Sequence, residues 1–256
     1  MQQDLAEKEG LKAHLIGVGG SDAVGLWGYI DAWAELEKQG VSKDFDDVVV
    51  AVGSGGTAAG LAIGAHLARS PVKVHAVAVC DDAAYFHSHT DAMLRELGLY
   101  RPGPRPGTGS VSRSAFESGS GSRSADGHSS HPMATSSREI LDVVDGYKGR
   151  GYGRAGAGDY AFIQAVAAST GVLLDQTYTG KAVQGMLAEM AAGGREEEEE
   201  EEDRGCGRFA GERVLYVHTG GLIGLMDGRA AGHMDRGRVQ SYGEGTAGIG
   251  SMTGWK

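Results

Sequence analysis

Apolar residues follow two alternating spacings along this chain. Asp47 to Val52 (DVVVAV), Val72 to Cys80 (VKVHAVAVC), Arg213 to His218 (RVLYVH) and Ala13 to Val18 (AHLIGV) are short, mostly apolar runs next to or ending in glycine or polar turns. Such runs suit parallel strands covered on both faces. Between them, Gly25 to Gln39 (GLWGYIDAWAELEKQ) sets Leu26, Tyr29, Ile30, Trp33 and Leu36 at helical spacing, and Thr57 to Arg69 and Tyr160 to Ser169 read as further helices. Strand, turn, helix and strand in this order predict a right-handed, doubly wound α/β sheet. No internal repeat is visible.

Two stretches break the pattern. Residues 102–137 are rich in Gly, Ser, Pro and Arg with almost no aliphatic side chains, and residues 193–208 hold a run of like charges. Neither buries enough apolar surface to offset chain entropy, so both are expected to be disordered insertions without chemistry of their own. For the Ser/Arg mixture of the first, a phosphorylated or RNA-associated tail is the alternative to an expanded surface loop.

Charge adds little once that run is set aside. The formal charge over 256 residues is −10, and Glu196 to Glu202 with Asp203 supply eight acidic groups; without them −2 remains. A nearly neutral folded part gives no electrostatic reason to expect nucleic acid or an anionic membrane as partner, and points to a small-molecule role. Cys80 and Cys206 are too few and too far apart for a disulfide framework or a cysteine-rich metal site, which fits an intracellular protein. No apolar run approaches the roughly 20 residues of a membrane span. The first residues carry no signal or transit composition, but a missing true amino terminus would leave the compartment open.

The strongest local signal is Val50 to Gly60 (VAVGSGGTAAG), an apolar strand that runs into Gly53, Ser54, Gly55, Gly56 and Thr57 and then into a helix of small residues. Glycines let the backbone turn tightly with its amides inward, and a helix amino terminus adds partial positive charge. The loop therefore has the chemistry to cradle a phosphate, with Ser54 and Thr57 as hydroxyl donors. It is neither a G-x-x-x-x-G-K-S/T loop nor a good G-x-G-x-x-G fingerprint, and a bare glycine turn is the alternative. Further glycine-marked turns lie at Val18 to Ser21, Tyr178 to Lys181 and His218 to Gly221. In open parallel sheets such turns converge beyond the strand carboxyl ends.

Five segments then carry a family resemblance. GGSDAVGLWGY (Gly19 to Tyr29), GSGGTAAGLA (Gly53 to Ala62), DGYKGRGYG (Asp145 to Gly153), LLDQTYTGKAVQGM (Leu173 to Met186) and YVHTGGLIGLMD (Tyr216 to Asp227) occur in the order expected for D-cysteine desulfhydrase. Its relative is 1-aminocyclopropane-1-carboxylate (ACC) deaminase. The resemblance implies the tryptophan-synthase-β-like fold of pyridoxal-phosphate (PLP) enzymes, an α/β, doubly wound, mostly parallel sheet, with the smaller domain largely missing. It also implies a small amino-acid substrate and, for a complete protein, a homodimer. The expected parts are residues 1–101 with the phosphate loop, the insertion 102–137, residues 138–192 with substrate-facing tyrosines, the insertion 193–208, the final strand and turn 209–228, and a tail 229–256.

By that resemblance Gly53, Ser54, Gly55, Gly56 and Thr57 hold the cofactor phosphate, and Tyr152 and Tyr178 face the substrate as catalytic residues. A phenol near a positively charged PLP imine is expected to have a lowered pKa; a half-buried aromatic with a satisfied hydroxyl is the plainer alternative. Thr179 and Thr219 stand where ACC deaminase has a glutamate and a leucine. A glutamate near the pyridine nitrogen keeps it protonated, as opening a cyclopropane needs, whereas a neutral threonine contact suffices when a β-thiol leaves. Both positions favour elimination of sulfide from D-cysteine over ACC deamination.

The family's Schiff-base lysine, in a Gly-Asn-Lys motif, and its Ser-Asn turn are expected upstream of everything present, and neither motif occurs here. The chain is accordingly expected to be inactive alone, as an incomplete piece or a non-catalytic remnant. Lys181 matches a family lysine that is not the Schiff-base residue. Leu26, and Gln176 with Thr177, depart from the family pattern and put local loop geometry in question. His87 and His89 form an H-x-H with nothing to complete a metal site, so they read as ordinary polar residues at a helix start, and His218 as a residue that orients the following turn.

Overall fold

Asp47–Val52 is buried along its whole length, as expected of an apolar run flanked on both faces, and it forms the central strand β1. The structure, a computed structural model, describes residues 16–101, 131–193, 208–209, 213–230 and 232–233. On one side β1 pairs with β2 (Lys73–Ala78), in register from Asp47↔Lys73 to Val52↔Ala78; β3 (Asp142–Val144) lies beyond β2. On the other side it pairs with β4 (Val214–Val217). All pairs are parallel and the order is β3-β2-β1-β4.

Among the described residues six helices accompany the sheet: α1 (Trp27–Lys38), the short α2 (Val41–Asp44), α3 (Gly56–Ala68), α4 (Ala83–Glu96), α5 (Ala157–Thr170) and α6 (Thr179–Gly193). Side chains alternate across a strand. Val48, Val50 and Val52 therefore join Trp33 of α1, Leu61 of α3 and Phe86 of α4 in one core. Val49 and Ala51 join Val77 and Ala182 of α6 in a second, where Tyr147 and Tyr178 pack at the margin. Burial on both faces accounts for the lack of polar positions in β1 after its first residue. The small residues of α3 have a packing cause as well: a Cβ on Gly64 would stand 2.5 Å from Trp33 Cβ, so Trp33 of α1 packs directly on the bare backbone of α3 there.

Polar residues anchor the far ends of the strands. His75, buried in β2, places Nε2 2.8 Å from Asp47 Oδ1 and Nδ1 2.8 Å from Asp142 Oδ2, which ties three strands together. Arg208 extends the cluster to Asp142 (2.7 Å) and to Glu189 of α6 (3.0 Å). Burial alone would raise the Asp142 carboxyl, but the hydrogen bonds from His75 and Arg208 outweigh it and hold the group below its ordinary value.

Several expectations change. Residues 16–18 do not continue a strand: Ile16 and Gly17 are irregular, a 3₁₀ turn covers Val18–Gly20, and Gly19 and Gly20 have positive φ; residues 13–15 lie outside the described residues. Tyr29, expected on the buried face of its helix, is 38% exposed, whereas Leu26 and Trp33 are fully buried. Packed chain resumes before Arg138. Ala134 and Ser137 are buried, and Ser137 N donates to Asp91 while its hydroxyl donates to His87 C=O. Most of residues 102–137 and 193–208 lies outside the described residues, but Gly193 closes α6 and Arg208 is in the ion-pair cluster. Beyond Gly228, Ala230 is buried and His233 stacks on Tyr160 at 4.8 Å, so the first residues of the expected tail pack on the domain. Among the described residues no helix is long and apolar enough to cross a membrane.

Candidate active site

The chain leaves β1 toward β2 on one side, and β4 returns to β1 on the other. The carboxyl ends of β1 and β4 therefore mark the point where strand order reverses, the usual ligand position in open α/β sheets. A cleft of about 850 Å³ opens there. Its floor is the loop Gly53–Gly55 that follows β1, and its far wall is the Thr219–Gly221 turn that follows β4.

The loop's composition follows from its geometry. Gly55 has φ 103°, a left-handed conformation that a side chain would strain, and it directly precedes α3, whose first amides face the loop end. A Cβ on Gly53 would stand 2.9 Å from Tyr178 Cε1, and one on Gly56 would stand 3.1 Å from Ser21 Cα. The glycines let Tyr178 and the Ser21 turn pack directly against the loop backbone. Of the seven expected cofactor contacts, Gly53, Ser54, Gly55, Thr57 and Thr219 line the cleft.

Gly56 and Thr179 are not among the lining residues. Gly56 is buried as the first residue of α3. Thr179 is fully buried, its hydroxyl donates to Asp175 Oδ1 (2.7 Å) and it accepts from Asp175 N (2.7 Å). One hydroxyl has one proton, and here it goes to Asp175 at the start of α6. Asp175 organises that start, accepting from the amides of Thr177, Tyr178 and Thr179 at 2.7, 2.9 and 2.7 Å.

Tyr152 and Tyr178 come together. Both line the cleft, their hydroxyls are hydrogen-bonded to each other, and their rings meet edge to face at 5.7 Å. Burial first, and then the Tyr152 hydroxyl, push the Tyr178 phenol up to about 12. The lowered value expected from the sequence is for a phenol beside a positively charged PLP imine, a different surrounding from this one. Tyr178 keeps its proton across the physiological range, and either hydroxyl of the pair can donate to the other.

Lys181 follows Tyr178 by one helical turn and is buried. Its Nζ donates to the carbonyls of Lys148 (2.9 Å) and Gly151 (2.6 Å), so it fixes the turn that presents Tyr152, and burial lowers its pKa. Lys148 lines a recess beside the cleft, with Nζ 3.4 Å from Asp81 C=O. No lysine lines the main cleft among the described residues.

Cys80 also lines the cleft; its thiol donates to Gly53 C=O (3.1 Å) and burial pushes its pKa up. Nothing in the spacing of Cys80 marked it for the site. His87 and His89 part company. His87 is buried with Nδ1 3.1 Å from Ser137 Oγ and its pKa is lowered by burial, while His89 reaches Ser21 at the cleft. Among the described residues no group of three His, Cys, Asp or Glu side chains is placed to hold a metal ion. His218 Nδ1 accepts from Gly220 N (3.2 Å), and its Nε2 meets Leu173 C=O at 2.9 Å, which pins the Thr219 turn.

Comparison with known proteins bears on this cleft. The family model described as "Pyridoxal-phosphate dependent enzyme" matches residues 2–220. Over 229 residues the chain is 36% identical to the bifunctional D-cysteine desulfhydrase/1-aminocyclopropane-1-carboxylate deaminase, mitochondrial, of Arabidopsis thaliana, covering 88% of this chain and 45% of that protein. It is 31% identical over 226 residues to a putative 1-aminocyclopropane-1-carboxylate deaminase of Thermotoga maritima (88% and 57% covered). With the D-cysteine desulfhydrase of Klebsiella pneumoniae it shares 27% over 221 residues (86% and 53%). Among solved structures, an ACC deaminase homologue superposes with a TM-score of 0.57 at 26% identity, over 87% of this chain and 55% of the other. The chain spans about half the length of these relatives, and its parallel α/β sheet matches the solved homologue's fold.

Proposed function

Because the chain belongs to the family of pyridoxal-phosphate dependent enzymes, we propose that its cleft is the cofactor and substrate site of a lyase that eliminates sulfide from D-cysteine. D-cysteine and water would be converted to pyruvate, sulfide and ammonia. The carrying observation is the meeting of the glycine loop, at the start of α3, with the Tyr152–Tyr178 pair in one cleft at the sheet's switch point.

The residues fit the phosphate end of the cofactor. Amides of the Gly53–Thr57 loop and the start of α3, with the Ser54 and Thr57 hydroxyls, would hold it. When bound, the cofactor supplies an electron sink for loss of the α-proton. Tyr178, protonated and tied to Tyr152, would donate to a polar group of the substrate, and Thr219 would close the far wall without adding charge. Position 179 likewise brings no carboxylate to the site, which supports D-cysteine over ACC; ACC deamination is the alternative.

Lys181 is committed to two carbonyls, so covalent attachment of the cofactor calls for a lysine that the described residues do not supply. The purified chain is accordingly expected to bind PLP reversibly in equilibrium dialysis, to leave no borohydride-trapped adduct on Lys148 or Lys181, and to release no sulfide. Failure to bind PLP would refute the cofactor site. A trapped adduct on Lys181 would overturn its role as a clamp and make it the attachment residue.

A further inference from the structure

The glycine loop is held by two side chains at the cleft that the proposal above does not use. Ser21 Oγ donates to Ser54 C=O at 2.8 Å and stands 3.1 Å from His89 Nε2. The single hydroxyl proton goes to Ser54, so toward His89 the oxygen is an acceptor and His89 Nε2–H is the donor. The turn before α1, helix α4 and the loop are thus joined by two hydrogen bonds in series. Packing repeats the connection: a Cβ on Gly55 would stand 2.8 Å from His89 Cδ2 and 3.5 Å from Ser21 Oγ. Tyr85 stacks on the His89 ring at 6.0 Å and 12°, which fixes the ring plane.

The tie to Ser54 C=O has a specific effect. In a trans peptide the carbonyl and the next N–H point in opposite directions, so drawing the Ser54 oxygen to Ser21 turns Gly55 N–H away from Ser21. A cradle of amides works only while its carbonyls stay turned from the anion. Gly55, at φ 103°, is free to adopt either sign of φ, and without the tie this peptide could rotate and present its oxygen instead.

We propose that His89 and Ser21 are positioning residues of the phosphate site, which lock the Ser54–Gly55 peptide with its N–H available to the anion. The inference rests on the proposal that this loop takes the PLP phosphate, and names what pre-organises it.

The test compares three probes on the whole chain: PLP, pyridoxal without its phosphate, and inorganic phosphate, with binding followed by tyrosine fluorescence and by phosphorus NMR. Losing one hydrogen bond of this kind should weaken PLP and inorganic phosphate about 5- to 10-fold in His89→Leu and in Ser21→Ala. Pyridoxal affinity should change by less than about 2-fold, since it never meets the loop's amides. His89→Gln, whose side-chain amide can still donate to Ser21, should stay within about 2-fold of the unaltered chain for every probe. The double variant should be no weaker than the worse single one, because both act through one bond series. Both residues are partly exposed and the variants should fold; should His89→Leu not fold, Ser21→Ala, which removes one oxygen atom, provides the same comparison. Unchanged phosphate affinity in the folded variants, or equal losses for PLP and pyridoxal, would overturn the inference alone. An unaltered chain that binds neither PLP nor phosphate would overturn the loop's assignment and this inference with it.

Discussion

Replacing Gly64 by alanine adds one methyl group to the middle of α3, a change that gains up to about 1 kcal/mol in an exposed helix. Here the sign is expected to reverse. The added Cβ would stand 2.5 Å from Trp33 Cβ, 3.1 Å from Trp33 Cγ and 3.4 Å from Ile30 Cα, where carbon contacts settle at about 3.5–4.0 Å. Trp33 cannot swing aside, since it is fully buried and its Nε1 donates to Glu37 Oε1 at 2.9 Å. Helix α1 must therefore lift by roughly 1 Å to restore ordinary contact. Overpacking of this kind costs about 1–3 kcal/mol, which outweighs the propensity gain and leaves a net loss of about 1–2 kcal/mol. Gly158 is the control: it lies in the first turn of α5 with nothing within 4 Å of an added Cβ, and Gly158→Ala should gain about 0.5 kcal/mol. Urea denaturation followed by circular dichroism should show the midpoint fall for Gly64→Ala and rise for Gly158→Ala, with the slope unchanged in both. A midpoint for Gly64→Ala equal to or above that of the unaltered chain refutes the close-approach argument. The Ser21 turn immediately precedes α1, so phosphate affinity should fall together with stability.

Other perturbations probe the tyrosine pair and the start of α6. In Tyr152→Phe the Tyr178 phenol should titrate below its present value of about 12 but above 10.0, because burial, the larger cause, remains; carbon-13 NMR of labelled tyrosine reads this directly, and an unmoved titration contradicts the pairing. A phenol raised on folding stabilises the fold fully below its unfolded value and loses that contribution as pH climbs through the folded one. Stability between pH 10.0 and about 12 should therefore fall more steeply in the unaltered chain than in Tyr152→Phe. Lys181→Met strips two carbonyls of their donor and should cost about 2 kcal/mol; amide hydrogen exchange should quicken in the Lys148–Gly151 turn and leave β1 unchanged, and equal exchange in the turn would remove Lys181 from its role as clamp. Thr179→Glu sets a second buried carboxylate beside Asp175 and should lower stability by about 3 kcal/mol. A variant as stable as the unaltered chain would mean that the start of α6 rearranges freely.

How much of this was legible depended on whether a residue's neighbours lay near it in the chain. Periodicity and runs located β1 to the residue, and β2, β4, α1, α3 and α5 to within three, because each is defined by which of its own faces is apolar. The three-residue β3 offers too short a run to register, and residues 16–18 failed as a strand because the chain there enters a turn whose glycines, Gly19 and Gly20, are left-handed. At the site, Gly53, Ser54, Gly55 and Thr57 were readable as a strand-to-helix turn, and Tyr152 and Tyr178 through the segments around them. His89 was not. Its H-x-H suggested at most half of a metal site, and its actual partner, Ser21, is 68 positions away. The burial and the Tyr152 hydroxyl that raise the Tyr178 phenol were also hidden, since both are supplied by parts of the chain far from Tyr178 in sequence.

The order β3-β2-β1-β4 also bears on how the molecule is made. β1, β2 and β3 follow one another in sequence, whereas β4 must find β1 across 167 residues. The entropy of closing so long a loop is lost before the pairing returns any energy, so β4 should dock late, onto a sheet already formed. The Thr219–Gly221 wall follows β4 directly, and the cleft should therefore close only when β4 docks. Substitutions in β4 should accordingly act on the rate at which the native state opens and leave the rate of its formation almost unchanged, and the same opening would release whatever the glycine loop holds.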